Sequence, residues 1–199
     1  DYKTALSFFK KAAEQGHSTA QFSVGIYYDN GRGVLQDSAE AVRWYKLAAA
    51  QGNSEAQFTL GVMYNIGEGV LQDYAEAVRW FKLAAAQGSL KAHYNLGIVY
   101  ESGEGVLQDY AEAVRWYKLA AEQGHSSSQY NLGVSYLRGE GVLQDYLHAH
   151  MWANLAAVSG HKNAQKARDL IAKEMTSQQI GKAQAMAKKC LASKYKDCE

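Results

Sequence analysis

The stretch GEGVLQDYAEAVRWFKLAAAQG, residues 67–88, decides the fold because it is written three times. GRGVLQDSAEAVRWYKLAAAQG fills 31–52, and GEGVLQDYAEAVRWYKLAAEQG fills 103–124. The period is 36 residues: Gly33, Gly69, Gly105 and Gly141 keep it, as do Trp44, Trp80, Trp116 and Trp152. Gly52, Gly88, Gly124 and Gly160 keep it too. Residues 37–72 and 73–108 are identical at 24 of 36 positions. The units are 1–36, 37–72, 73–108 and 109–144, with a degenerate fifth beginning at Asp145. A repeat of this length is one supersecondary unit that cannot bury its own apolar face and must stack on its neighbours.

Each unit reads as two helices. Asp37 with Glu40 forms a capping-box pattern, in which the aspartate takes an orphan amide of the first turn and the glutamate reaches back. Asp73/Glu76 and Asp109/Glu112 repeat it, and both acids favour the positive end of the helix dipole. Ala41, Trp44, Tyr45 and Ala48 follow at helical spacing as an apolar stripe. Gly52 ends this helix A, predicted over 38–51, as a left-handed C-cap. Helix B starts near Ser54 and carries Ala56, Leu60 and Tyr64 on one face. Gly25, Gly61, Gly97 and Gly133 sit inside helix B, where glycine costs ~1 kcal/mol relative to alanine. That recurring cost predicts a close approach by another helix. Gly67 and Gly69 close the unit in a turn leading to the next aspartate cap.

Composition agrees with a globular chain: 199 residues, 47% hydrophobic, 21% charged, no proline and a formal net charge of +1. That balance gives no general attraction to nucleic acid or to membrane surfaces. No apolar run approaches the ~20 residues of a membrane helix. The charge is nevertheless uneven. Residues 1–160 hold 12 Lys/Arg and 16 Asp/Glu, whereas 161–199 hold 9 and 4. The basic tail reads either as a docking surface or as the solvated face of a last helix. The chain opens without Met at a repeat boundary, from which we expect a processed or trimmed product of a longer protein.

The pattern Ala41, Trp44-Tyr45, Ala48-Ala49, Gly52, Ala56-Gln57, Leu60-Gly61, Tyr64, Gly67, Gly69-Val70 resembles the Sel1-like repeat, a relative of the tetratricopeptide repeat. The resemblance covers about residues 1–160, with Phe8 for Trp in the first unit, His93 for Gln in the third and Ser128 for Ala in the fourth. It implies an all-α, right-handed α-solenoid of antiparallel helix pairs, with helices A on the concave side. It also implies adaptor and scaffold roles, including bacterial signalling and bacterial factors that meet host proteins. A cysteine-rich bacterial branch of the family carries disulfides and is linked to penicillin binding and weak β-lactamase activity. Residues 161–199 depart from the pattern: Arg168 replaces an expected apolar residue and Asp169 an expected glycine. Thr176-Ser177-Gln178-Gln179 then opens a helix through Ile180, Ala183, Ala187 and Leu191. These residues read as C-terminal capping helices with a polar outer face, followed by a cysteine-containing tail.

Chemistry is sparse. Cys190 and Cys198 are the only cysteines. Their proximity suggests one disulfide closing the tail on the last helix, with free thiols or metal and redox chemistry as the alternatives. A disulfide would point to a periplasmic or secreted protein. His17, His125 and His161 each follow a repeat glycine at the polar start of helix B, while His148 and His150 point in different directions and chelate poorly. S-x-x-K occurs at Ser7–Lys10 and Ser159–Lys162, but the Ser, Asn and Lys-Thr-Gly elements of a penicillin-acting site are absent. No zinc, phosphate-loop or Ser/His/Asp pattern appears, so we expect no enzyme, cofactor or metal.

Repeated residues are explained by folding, so a partner site is sought elsewhere. Arg43, Arg79 and Arg115, with Lys46, Lys82 and Lys118, recur without structural need and would form basic ladders. The competing reading is a local ion pair with Glu40, Glu76 and Glu112 one turn earlier. Variable positions add Thr59, Asn95 and Asn131 within helix B, and Asn65-Ile66, Glu101-Ser102 and Leu137-Arg138 at its end. The expected function is an adaptor or scaffold that binds a protein or peptide on the concave face of the array through these residues, acting as a monomer or as part of a longer array. The alternative is a penicillin-acting protein of the cysteine-rich branch.

Overall fold

A computed structural model describes residues 1–198. In chain order its helices are α1 (Tyr2–Glu14), α2 (Ser18–Asp29), α3 (Ser38–Ala50), α4 (Ser54–Ile66), α5 (Tyr74–Ala85) and α6 (Leu90–Ser102). They continue as α7 (Tyr110–Ala121), α8 (Ser126–Arg138), α9 (Tyr146–Val158), α10 (Ala164–Ala172) and α11 (Ser177–Ala192). The odd-numbered helices up to α9 are helices A, the even-numbered ones helices B, and no strand occurs among the described residues.

The aspartate caps are in place. The amide N–H groups of Glu40, Glu76 and Glu112 donate to Asp37, Asp73 and Asp109 at 2.9–3.0 Å. The second half of the predicted box is corrected. The cap amides of Asp37, Asp73 and Asp109 already donate to the carbonyls of Tyr28, Tyr64 and Tyr100 at 2.9 Å. With that donor satisfied, the glutamates turn to the arginines one turn on. A full capping box does form at α11, where Thr176 and Gln179 exchange both bonds.

The interior glycines are explained by the next helix A. A Cβ on Gly25, Gly61 or Gly97 would overlap the rings of Tyr45, Phe81 and Tyr117, respectively. Each ring is about 1% exposed and has nowhere to go. At Gly133 the neighbour is instead the α9 backbone at Ala149 and Ala153. The turn glycine Gly69 has φ +68° and lies against the Ser38 carbonyl, so the end of each unit seals the start of its own helix A.

Two compact bodies result. One holds Asp1–Ala92 with Glu104–Val106, and the other His93–Gly103 with Leu107 onward. In the first body, α2 packs on α3 and α4 on α5 around Tyr45, Leu60 and Trp80. Its first helix leaves Phe8 67% and Phe9 36% exposed, where the equivalent residues of α3 and α5 are largely covered. In the second body, α10 closes over Ala149 and Ala153 of α9 through Ile171. The terminal helix α11 also packs against α9. Its Ala187 and Cys190 meet Met151 and Leu155, which are fully buried. Cys190 and Cys198 are joined in a disulfide with a Cα–Cα distance of 4.4 Å. The bridge closes the tail so that Tyr195 reaches Ser159 and lies 3.1 Å from where a Gly124 Cβ would stand.

Candidate interaction surface

The predicted arginines are exposed on helices A. Arg43, Arg79 and Arg115 have side chains 79%, 56% and 78% exposed and pair with Glu40, Glu76 and Glu112 at 3.0, 2.6 and 2.8 Å. The local ion pair is therefore present in every unit that carries the arginine. Exposed i,i+3 pairs of this kind contribute ~0.3–0.5 kcal/mol each and leave the guanidinium available. At Glu76 the Arg79 hydrogen bond outweighs partial burial and holds the carboxyl below its usual range. Lys46 and Lys82 are exposed and Lys118 is half-buried. Lys46 stands 5.3 Å above the Tyr64 ring, and Lys118 lies 3.9 Å from Glu122.

Beside each arginine is a leucine that the sequence reading passed over. Leu47, Leu83 and Leu119 follow their arginines by four residues and are 50%, 40% and 44% exposed. Residues four apart share a helix face. α3, α5 and α7 thus each present an apolar knob between basic groups. Two shallow depressions mark this face, one in each body. That on α7 is about 320 Å³ and is lined by Arg115, Lys118, Leu119 and Glu122, among others. That on α1 is about 420 Å³, and its Ser7, Lys10, Lys11 and Glu14 stand three whole periods before those four.

The variable positions on helices B do a different job. Thr59, Asn95 and Asn131 are all half-buried. Asn131 hydrogen-bonds Tyr117, whose hydroxyl also donates to the Glu101 carboxylate. Tyr45 makes the equivalent bond to Asp29. Burial and the neighbouring carboxylate raise both tyrosine pKa values far above normal, so both hydroxyls stay protonated. Burial likewise raises the Asp29 carboxyl. The chain varies these positions together: Tyr45 with Asp29, Phe81 with Asn65, Tyr117 with Glu101, and Ala153 with Leu137. The residue after each final tyrosine is matched to the hydroxyl, or its absence, 16 residues later. That pairing was visible in the sequence as covariation within one chain.

A second relay was also missed. Gln21 and Gln57 donate to the Ala13 and Ala49 carbonyls at 3.2 Å, adding a second donor to carbonyls that already accept from the Gly16 and Gly52 amides at the end of their own helix A. Their side-chain oxygens accept from Gln51 and Gln87 of the next unit at 2.7 Å. Gln129 keeps the first bond, to Ala121 at 3.1 Å, but Ser159 stands at the next unit's glutamine position, and the Gln129 oxygen has no partner among the described residues.

The histidines behave as helix starts and packing groups. His125 accepts from the Ser128 amide and tilts against Tyr94. His161 stacks on Tyr130 at 4.3 Å. His148 pairs with Asp145 at 2.7 Å, and His150 is buried against α10, near Arg168 and Asp169. No cluster of metal-ligating groups occurs among the described residues. Ser159 engages Tyr195, and Lys10 donates to the Tyr28 hydroxyl at 2.6 Å, so members of both S-x-x-K matches have other partners.

Comparison with known proteins agrees with this construction. The Sel1 repeat profile matches residues 1–17, 18–53, 54–89, 90–125 and 126–161. The crystal structure of a Sel1 repeat protein from Oxalobacter formigenes is similar, with a TM-score of 0.81 and 33% identity over 94% of this chain and 79% of that one. A protective antigen of uropathogenic Escherichia coli displaying an SLR fold gives a TM-score of 0.61 at 29% identity, over 98% of this chain and 50% of its own. Rat DAP3-binding cell death enhancer 1 is 48% identical over 42 residues, which are 21% of this chain and 8% of that protein. The mouse protein of the same name is 45% identical over the same length. The chain therefore spans only a small part of these curated relatives. With five matched repeats and a solenoid of antiparallel helix pairs, the chain belongs to the Sel1 repeat family.

Proposed function

We propose that this chain is a non-enzymatic scaffold that binds a protein or peptide on the exposed face of its helices A, through Arg43, Arg79 and Arg115 with Lys46, Lys82 and Lys118. Sel1 repeat proteins are generally protein-interaction scaffolds. The observation that carries the reading is the recurring Arg–Leu pair, exposed at the same place in successive units. Within the first body the packed helices hold Arg43 and Arg79 at fixed spacing, so a ligand gathers several weak contacts with little ordering cost. Thr59, Asn95 and Asn131, half-buried on helices B, lie outside this reading. The disulfide supports an exported protein, and no described helix is long and apolar enough to cross a membrane.

The test is a charge change at all three arginines. A partner is captured from native extract, identified by mass spectrometry and titrated against Arg43→Glu/Arg79→Glu/Arg115→Glu. We expect at least a tenfold loss of affinity with helicity unchanged. Equal affinity removes the ladder. A penicillin-acting enzyme would instead show covalent labelling by a β-lactam, and we expect none.

A further inference from the structure

The molecule contains one example of what occupies a helix-A face. Met151 and Leu155 of α9 stand one period after Arg115 and Leu119 of α7. Arg115 is exposed and Leu119 is 44% exposed, whereas Met151 and Leu155 are 0% exposed. What covers them is α11, packed on α9 through Ala187 and Cys190, with Ala183 also fully buried. The α11 stripe is small, at spacings of four and three residues, so large knobs on helix A enter a shallow hollow and the two helices lie close. Arginine gives way to methionine in this array where a helix lies over the position. Covering a methionine removes apolar surface from water, which is favourable, whereas a guanidinium under a helix needs a carboxylate from that helix to offset its desolvation.

On α3 and α5 of the first body the leucine of this seat recurs in the open, and exposed Arg43 and Arg79 stand where α9 has Met151. Leu47 and Leu83 repeat the knob, and the neighbouring groups are charged. Beyond the capping aspartates, α3 and α5 carry Arg43, Lys46, Arg79 and Lys82 against Glu40 and Glu76. The knob is thus the one used by α11, while its rim favours negative charge.

We infer that the ligand of the helix-A face on α3 and α5 is an α-helix with a stripe of small residues (Ala, Gly, Ser or Cys at i, i+4 and i+7) and acidic flanks, seated as α11 is seated on α9. The inference rests on the helix-A reading above and adds the ligand's conformation and chemistry. An extended peptide has no reason to match the α11 seat. A helix with leucines in its stripe would be held off the surface by Leu47 and Leu83.

The probe is a fluorescent synthetic peptide of residues 177–192 with Lys182→Glu, Lys188→Glu, Lys189→Glu and Cys190→Ser. It is titrated by anisotropy into the full chain with its disulfide intact. The expected result is saturable binding, weakened at least tenfold by Leu47→Glu/Leu83→Glu in the chain and by Ala183→Leu/Ala187→Leu in the peptide. Circular dichroism checks the chain variant, and Leu47→Ser/Leu83→Ser replaces it if it unfolds. The inference is overturned by no binding, by equal binding of a peptide broken with Ala185→Pro, or by binding indifferent to Leu47 and Leu83. If the probe fails while the triple arginine variant still loses its captured partner, the helix inference falls and the helix-A reading stands. If the arginine variant keeps its partner, that reading falls on its own evidence.

Discussion

Tyr117 shows how a residue that looks available for binding is committed to the fold. Its hydroxyl is buried, donates to Glu101 and is hydrogen-bonded to Asn131. Tyr117→Phe should therefore cost about 1 kcal/mol in denaturant unfolding, the usual net value of such a bond. Adding Glu101→Asn recreates the natural Phe81/Asn65 combination and should recover at least half of the loss. A double variant less stable than the single one would remove the pairing. His150 gives a second residue-level test. Burial holds its imidazole below the ordinary 6.5, helped by Arg168 and opposed by Asp169. The unfolded chain therefore takes up the proton first as pH falls, so this group's contribution is present above about 6.5 and is lost below it. Burial shifts His125 and His161 the same way. We predict a falling Tm between about pH 7.5 and 5.5. The fall should be smaller in His150→Val, which restores the residue found at Val42, Val78 and Val114. An unchanged slope would assign the acid sensitivity to other groups.

At the scale of the helix, glycine separates propensity from packing. Gly61 faces the buried Phe81 ring, and Gly181 on α11 has nothing within 4 Å. Both gain ~1 kcal/mol of helix propensity on replacement by alanine. At Gly61 the overlap, typically ~1–3 kcal/mol for overpacking, outweighs it. Gly61→Ala should lower Tm and Gly181→Ala raise it; the same sign at both sites would contradict the packing account. The helices themselves were legible because caps, stripes and stop glycines recur in register. Half of each capping box was misread because the tyrosine carbonyl that takes the aspartate amide belongs to the preceding unit, nine residues back, and no local pattern announces it. The seat of α11 was legible in principle. Met151 breaks the Arg43, Arg79, Arg115 series, and an apolar residue at an exposed position signals a cover. Reducing or replacing Cys190 and Cys198 should free the tail around Tyr195, with a loss of ~2–3 kcal/mol expected from loop closure alone. Faster amide exchange confined to residues after Ala192 and the end of α11 would show it.

For the whole molecule, the copied sentence around residues 67–88 is almost entirely structural. Its aspartate caps, its tryptophan and tyrosine or phenylalanine pack, its glutamine links units and its glycines turn the chain. The fold was therefore readable from the period alone. The interaction surface was only partly readable, because exposed arginine and leucine repeat as faithfully as the core does. Exposure, which separates the two, is a property of the stacked array and not of one unit. Of the positions that differ between units, Glu101 and Asn131 answer to the buried Tyr117. The most direct test of the central claim is photo-crosslinking in native extract from a benzophenone side chain placed singly at Leu47, Leu83 or Leu119, or on helices B at Ile66 or Ile98, which are also exposed. The account predicts one common partner crosslinked from the three helix-A positions and not from the helix-B pair. Crosslinks from Ile66 or Ile98 alone would contradict it.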